Sequence, residues 1–209
     1  MVLNRENRYA VIDDFFSIGE YLAIKNYLEG VTWGFTPNVA GEFAKKDPAN
    51  SGFSHIIYGH NGQDDNPTIS CMIGQSLSKY FKINLMWRIR AGLLIPVGKK
   101  WVHDPHVDKN EPHWTALMYF SSEKGTGHTY IYDELFDPYL YEGVPAQVAA
   151  RRDKMKVLAK VEAKENRVVF MRGDVFHSSS APETIIKRLA INVNFVGVLL
   201  DVQPEAEKP

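Results

Sequence analysis

The feature that most constrains this chain is a change of hydrophobic period near residue 82. Before it, apolar residues recur at helical spacing; after it, they alternate or run in short apolar segments. Residues 9–16, Tyr-Ala-Val-Ile-Asp-Asp-Phe-Phe, read as a short strand leading into a turn. Ser17 stands where an N-cap belongs, and Glu20, three residues on, completes a capping box. Tyr21, Ile24 and Leu28 fall on one helical face, and Gly30 supplies a stop. Residues 34–67, rich in Gly, Pro, Asn and Asp, predict a long loop placed to cover a site. A second helix is predicted over 68–82, with Ile69, Met72, Ile73, Leu77, Tyr80 and Phe81 as its apolar stripe.

The period-two segments are 86–95, 115–121, 128–133, 157–163, 166–171 and 187–199, with β-branched and aromatic residues prominent. Turn signals at Pro96-Val97-Gly98, Gly125-Thr126-Gly127, Glu165-Asn166 and Gly173-Asp174 separate most of them. Helices first and strands afterwards predict an α+β fold with the strands in a sandwich or barrel. Residues 134–156, with Pro138, Gly143, Pro145 and a polar run from Gln147 to Lys156, read as an insertion between strands. The 209 residues suit one domain over 1–202. It comprises an N-terminal strand and helices over 1–82 and a strand core over 86–200. The polar stretch 203–209 reads as a flexible tail.

Composition narrows the function classes. The formal net charge is −1, from 24 basic and 25 acidic residues, so neither a nucleic-acid footprint nor a polybasic membrane anchor is visible. The single cysteine, Cys71, excludes an internal disulfide and a Cys-based metal cage. Its setting in Thr68–Ile73 predicts a buried, inert thiol. The N-terminus lacks a signal h-region and no apolar run is long enough to cross a bilayer, so a reducing, cytoplasmic setting is expected.

The chemistry concentrates in Trp101-Val102-His103-Asp104-Pro105-His106-Val107-Asp108. On an extended backbone His106 and Asp108, two residues apart, point to the same side and can converge on one ion. A histidine from a distant strand would complete a two-His, one-carboxylate face with open coordination positions, the geometry of non-haem Fe(II) oxygenases. His177, after the strand Val168–Met171 and the Gly173-Asp174 turn and at the start of the next element, is the candidate. A His-x-Asp pair alone is a weak signal; Arg188, eleven residues after His177, strengthens it. Arg188, Ala190, Asn192 and Asn194 share one strand face, while Leu189, Ile191, Val193 and Phe195 share the other. An arginine on an inward face is costly unless it meets an anion, and its fork suits the far end of a dicarboxylate. Standing alone, Arg188 would read as an ordinary surface arginine.

Taken in order, His106-Val107-Asp108, Thr115–Ser121, Gly125-Thr126-Gly127-His128-Thr129, Gly173-Asp174-x-x-His177 and Arg188 resemble the prolyl-4-hydroxylase-like branch of the 2-oxoglutarate/Fe(II)-dependent dioxygenase superfamily. Tyr9–Phe16 with its capped helix also resembles that branch's N-terminus; the likeness covers most of the chain, and 34–67 and 134–156 have no counterpart in it. The resemblance implies a double-stranded β-helix, a cupin-like jelly-roll barrel with the N-terminal helices packed outside. It implies His106, Asp108 and His177 as iron ligands and Arg188 as the group holding the C5 carboxylate of 2-oxoglutarate. It further implies Tyr119 as a hydroxyl donor to that carboxylate, with Thr129 and Asn192 lining the co-substrate pocket. The implied requirements are Fe(II), 2-oxoglutarate and O₂, with ascorbate as an accessory reductant.

The implied reaction is hydroxylation of an unactivated C–H, in a peptidyl proline, another side chain or a small molecule, with conversion of 2-oxoglutarate to succinate and CO₂. Two departures matter. The turn reads Gly-Thr-Gly-His rather than Gly-Gly, and His128 is expected to be solvated or to lie behind the site. His103 and His113 flank the ligand segment without a metal role. A nucleobase demethylase would carry a second arginine six residues after the first, where this chain has Asn194. The rival from another class is a non-enzymatic cupin-like module that binds a metal or ligand; a buried Arg188–Tyr119 anion clamp argues against it.

Overall fold

The strand-rich part of the chain forms two sheets that face each other, seen in a computed structural model describing residues 8–40, 47–59, 61–121, 127–138, 154–183 and 187–200. In chain order the elements are β1 (Tyr9–Ile12), α1 (Ile18–Gly30), β2 (Gly34–Thr36), a 3₁₀ turn (Pro48–Asn50), β3 (Gly52–Gly59), α2 (Pro67–Ser78) and β4 (Phe81–Leu94). There follow β5 (Trp114–Tyr119), β6 (His128–Leu135), β7 (Val157–Glu162), β8 (Val168–Arg172), β9 (Val175–Ser179) and β10 (Arg188–Leu199). The larger sheet runs β1-β8-β5-β10-β4-β3-β2 and the smaller β7-β6-β9. Their facing sides meet in a cluster that joins Tyr119, Val169 and Met171 of the larger sheet to Ile131, Val161 and Val175 of the smaller. This is the jelly-roll barrel expected from the period-two segments.

The helices cover the opposite face of the larger sheet. Ser17 Oγ accepts from the Glu20 amide at 3.3 Å while Glu20 Oε2 accepts from the Ser17 amide at 2.9 Å, so α1 starts where the capping box places it. Asn66 Oδ1 accepts from the Ile69 amide at 3.2 Å and Pro67 opens α2, a position where its missing N–H costs nothing. Ile24, Leu28, Ile73 and Leu77 then pack against Ile89, Met118, Phe170, Ile191 and Phe195. Truncating one such side chain to alanine costs about 2–5 kcal/mol. No helix among the described residues is long and apolar enough to cross a membrane.

The structure departs from the sequence-based expectations in four places. The span 34–67 is not one long loop: β2, the 3₁₀ turn and β3 lie in it, and β3 pairs with β4 from Phe53↔Leu93 to Gly59↔Arg88. Of its middle residues only Ile57 is fully buried, so β3 shows no clean alternation. The second helix ends at Ser78, and Phe81 begins β4. Phe81 is apolar because its ring packs 5.0 Å from those of Trp114 and Phe195, and not because it continues a helical stripe. Cys71 is exposed: at about 100° per residue it sits two positions from both buried Ile69 and Ile73, which turns it to the outside of α2. His177 lies in the middle of a strand, β9, rather than at the start of an element. Most of the 134–156 insertion, residues 125 and 126 of the turn, and the tail 203–209 lie outside the described residues.

Candidate metal and anion site

The ligand segment is tied to β9 by a pair of backbone bonds. The His106 amide donates to the His177 carbonyl and the His177 amide to the His106 carbonyl, both at 3.0 Å. That bridge brings the two rings to 4.8 Å between centroids and places Asp108 beside them. One ligand atom from each of His106, Asp108 and His177 lies within 4.8 Å of the others. His106 Nδ1 is 3.0 Å from the Asp104 carbonyl and His177 Nδ1 is 3.2 Å from the Val175 carbonyl. A carbonyl only accepts, so both Nδ1 atoms carry the proton and both Nε2 lone pairs are left for a cation. Burial, with His106 nearby, pushes His177 down to about 4 despite the opposing pull of Asp108, which keeps its imidazole neutral at physiological pH.

Asp108 is held from one side. Its Oδ2 accepts from Thr115 Oγ1 at 2.9 Å, Asn194 Nδ2 at 2.8 Å and Asn192 Nδ2 at 3.1 Å. Arg88 approaches Oδ1 at 3.8 Å. Burial opposes ionisation here, yet His177, His106, Arg88 and the Asn192 hydrogen bond outweigh it and hold the carboxyl well below the usual carboxylate range. Asn192 therefore buttresses the carboxylate as well as lining the pocket. Thr115, Asn194 and Arg88 were missed by sequence reasoning. Asn194 had a signal, since it shares the inward face of β10 with Arg188; Thr115 and Arg88 come from β5 and β4, whose register the sequence does not give.

Arg188 is 3% exposed. Its Nη1 donates to the carbonyls of His128 at 2.8 Å and Ser180 at 3.1 Å, and its Nη2 to Thr129 Oγ1 at 2.8 Å. These bonds aim the fork without using all five of its donors. Burial works against its charge, but a guanidinium stays protonated. Arg188, Thr129 and Asn192 line the same pocket as His106, Asp108 and His177. Tyr119 stands behind it: its hydroxyl donates to Thr129 Oγ1 at 2.7 Å and its ring lies 5.5 Å from the guanidinium. Its hydroxyl thus supports Arg188 through Thr129.

Among the described residues, His128, His103 and His113 fall outside the cluster. His128 contributes its carbonyl to Arg188, and its imidazole sits toward Tyr130. His103 is buried with Nδ1 3.1 Å from Asn50 Oδ1, and burial, followed by Arg188 and His106, pushes it down to about 3. His113 packs over the Gly173-Asp174 turn. A Cβ at Gly173 would lie 2.2 Å from His113 Nδ1, so only glycine fits there. Gly127, before His128, has φ +96 and faces Ser180 O at 2.8 Å from where a Cβ would be, which fixes the turn that delivers the His128 carbonyl.

Two imidazoles that present Nε2 and one carboxylate, in a pocket shared with a buried guanidinium, suit a divalent iron that keeps open positions and an anionic co-ligand. No protein-family model matches the sequence, and no curated protein matches it either. Solved structures do. The non-heme α-ketoglutarate-dependent carbocyclase SnoK from nogalamycin biosynthesis is 15% identical at TM-score 0.58, covering 92% of this chain and 81% of its own. The epimerase SnoN, also from nogalamycin biosynthesis, is 16% identical at TM-score 0.57, over 90% of this chain and 77% of its own. A prolyl hydroxylase from Trichoplax adhaerens, solved with a hypoxia inducible factor peptide fragment, is 16% identical at TM-score 0.56, over 93% and 87%. The chain therefore has the double-stranded β-helix fold of the 2-oxoglutarate- and Fe(II)-dependent oxygenases. Prolyl hydroxylases are among the proteins that share it.

Proposed function

We propose that this protein is a 2-oxoglutarate- and Fe(II)-dependent oxygenase that hydroxylates an unactivated C–H, and that residues 1–202 form its one catalytic domain. The observation that carries the reading is a single pocket holding three convergent ligand atoms and a buried arginine. His106 and His177 would hold the iron through Nε2, and Asp108 through its carboxylate, whose Oδ2 lies 3.7 Å from His177 Nε2. Arg188 would grip the far carboxylate of 2-oxoglutarate, with Thr129 beside it. When bound, iron, 2-oxoglutarate and O₂ supply the oxidation, which yields succinate, CO₂ and a hydroxylated substrate; ascorbate would serve only as an accessory reductant.

The protein's own part is positional. The Nδ1 bonds to Asp104 and Val175 carbonyls set both imidazole planes. The three donors on Asp108 Oδ2 keep the carboxylate ionised and turned toward the histidines. The bonds from Arg188 to His128, Ser180 and Thr129 preset the distance between the metal and the anion clamp, so little reorganisation is left for the bound state. Leu117 and Ala190 on the inner sheet face give the pocket apolar walls that exclude water. The primary substrate is a peptide side chain or a small molecule. One SnoN structure holds Fe3+, α-ketoglutarate and nogalamycin RO, and the Trichoplax enzyme holds a peptide fragment, so this fold accommodates either.

The test is succinate formation from 2-oxoglutarate by protein supplied with Fe(II) and air. His106→Ala, Asp108→Ala and His177→Ala should each abolish it while the circular dichroism spectrum stays that of the parent. Normal turnover in any of the three would remove that residue from the metal site. Failure of the parent protein to make succinate under any iron loading would favour a binding module instead.

A further inference from the structure

The barrel's inner face carries a third arginine that makes no ion pair among the described residues. Arg90 of β4 stands opposite Asn192 of β10, two residues from Arg88 and four from Leu94, the partner of Arg188. It lines the pocket that contains His106, Asp108 and His177. The other two inward arginines are engaged: Arg188 by two carbonyls and Thr129, and Arg88 by Asn194 Oδ1 at 2.7 Å. Among the described residues Arg90 makes neither a hydrogen bond nor an ion pair. Burial and the like charge of Arg88 both work against its cation, and Asp108 only partly offsets them. Asp108 is already saturated on Oδ2 and faces the two histidines. A guanidinium does not escape such a site by losing its proton, so an anion brought into the pocket would offset the burial of its charge.

The space around Arg90 is shaped for more than a small ion. The next inward position on β4 is Gly92, where a Cβ would meet only the Ala190 carbonyl, at 3.9 Å. Gly92 and Ala190 leave the floor open between Arg90 and the Arg188 end, and Val39, Phe53 and Leu94 give an apolar wall. The co-substrate is not the natural occupant. Four residues of extended strand separate Arg90 from the level of Arg188, on the order of 13 Å. The two ends of 2-oxoglutarate are in any case taken by Arg188 and the metal in the proposed function, on which this inference rests. We propose that Arg90 is the recognition point for a carboxylate on the primary substrate, which makes that substrate an organic acid with an apolar skeleton.

The experiment uses matched pairs of acids and uncharged amides, read by ligand-observed NMR on the Zn(II)-loaded protein with saturating 2-oxoglutarate. Hexanoate and phenylacetate are each set beside the primary amide. N-acetylglutamate N-methylamide is set beside its glutamine counterpart, to separate free acids from acidic peptide side chains. At least one acid should bind about tenfold or more tighter than its amide. That preference should vanish in Arg90→Gln and return in part in Arg90→Lys, which keeps the charge without the fork. Thermal melting of Arg90→Gln should show no loss of stability, because the variant removes an unpaired cation; a lower melting point would mean that Arg90 has a structural partner and overturns the proposal. So would the absence of any preference for acid, or a preference that survives Arg90→Gln. A larger loss of 2-oxoglutarate affinity than of acid affinity in Arg90→Gln would also overturn it, by giving Arg90 to the co-substrate. If 2-oxoglutarate fails to bind, or ignores Arg188→Ala, the proposed function itself falls. If 2-oxoglutarate depends on Arg188 and the acids ignore Arg90, only this inference falls.

Discussion

The two faces of β10 are made of alternating residues of one strand and obey different rules. Outward, Leu189, Ile191, Val193 and Phe195 are buried in the cluster beneath α1 and α2, and every atom there gains by leaving water. Inward, Arg188, Ala190, Asn192 and Asn194 face the smaller sheet, and their polar atoms meet Asp108, Thr115, Thr129 and two backbone carbonyls. The accounting on that side is incomplete: Asn192 Oδ1 and Arg88 Nε are buried without a partner, and Arg90 makes no hydrogen bond or ion pair among the described residues. The contrast teaches that the outer face supplies the stability that the inner face draws down, and that the inner face's unmet polar atoms mark where ligands belong.

Breaking the inner face at its strongest point should give the largest effect. Arg188→Ala should weaken 2-oxoglutarate binding by about tens- to thousands-fold, the 2–5 kcal/mol expected for a desolvated charge-assisted pair. Arg188→Lys should recover part of it. Iron uptake, measured separately, should survive both changes, because the ligand cluster does not include Arg188. The outer face should break in the opposite sense. Ile191→Ala should cost about 2–4 kcal/mol of stability in denaturant titration while the folded fraction binds 2-oxoglutarate like the parent. A variant on either face that moved both quantities together would dissolve the distinction.

Alternation made much of this division readable in the sequence. The split of β10 into Arg188/Ala190/Asn192/Asn194 and Leu189/Ile191/Val193/Phe195 follows from period two alone. The i, i+2 spacing of His106 and Asp108 put them on one side, and the Ser17–Glu20 capping box placed α1. What stayed hidden depends on which strands become neighbours. Nothing in the local pattern tells that Thr115 and Arg88 reach Asp108, since that requires the β5–β10–β4 order and its register. Tyr119 lies on the inward face of its strand, and its bond to Thr129 of the other sheet is a matter of sheet packing. Phe81 and β3 were misread because an aromatic core residue looks like a helical stripe, and because a strand near the sheet edge has little alternation to show.

The inner face should also respond to pH in a way the outer face cannot. His177 is held near 4 and His103 near 3 in the folded protein, against about 6.5 unfolded. Below pH 6.5 the unfolded chain binds protons that the native state refuses, so acid lowers stability. The metal-free protein should lose up to about 1.4 kcal/mol per pH unit for each histidine between pH 6 and 4. The loss should level off once the native residues themselves protonate. His103→Asn should make that slope shallower in denaturant titrations at pH 6, 5 and 4; an unaltered slope would mean that His103 is protonated in the native state. The smallest effect belongs to Tyr119→Phe. Loss of one neutral hydrogen bond to Thr129 is worth about 0.5–1.5 kcal/mol, so the 2-oxoglutarate KM should rise a few-fold with kcat little changed. An unmoved KM would show that Arg188 is held without this support.

The most direct measurement is anaerobic titration of the metal-free protein with Fe(II) and 2-oxoglutarate together, followed by visible absorption. A weak charge-transfer band should grow to one equivalent of iron only when both are present. It should be missing in His177→Ala and Asp108→Ala, and should need far more 2-oxoglutarate in Arg188→Ala. A parent protein that binds iron tightly at His106, Asp108 and His177 and still shows no band with saturating 2-oxoglutarate would contradict the assignment of this pocket to an oxygenase.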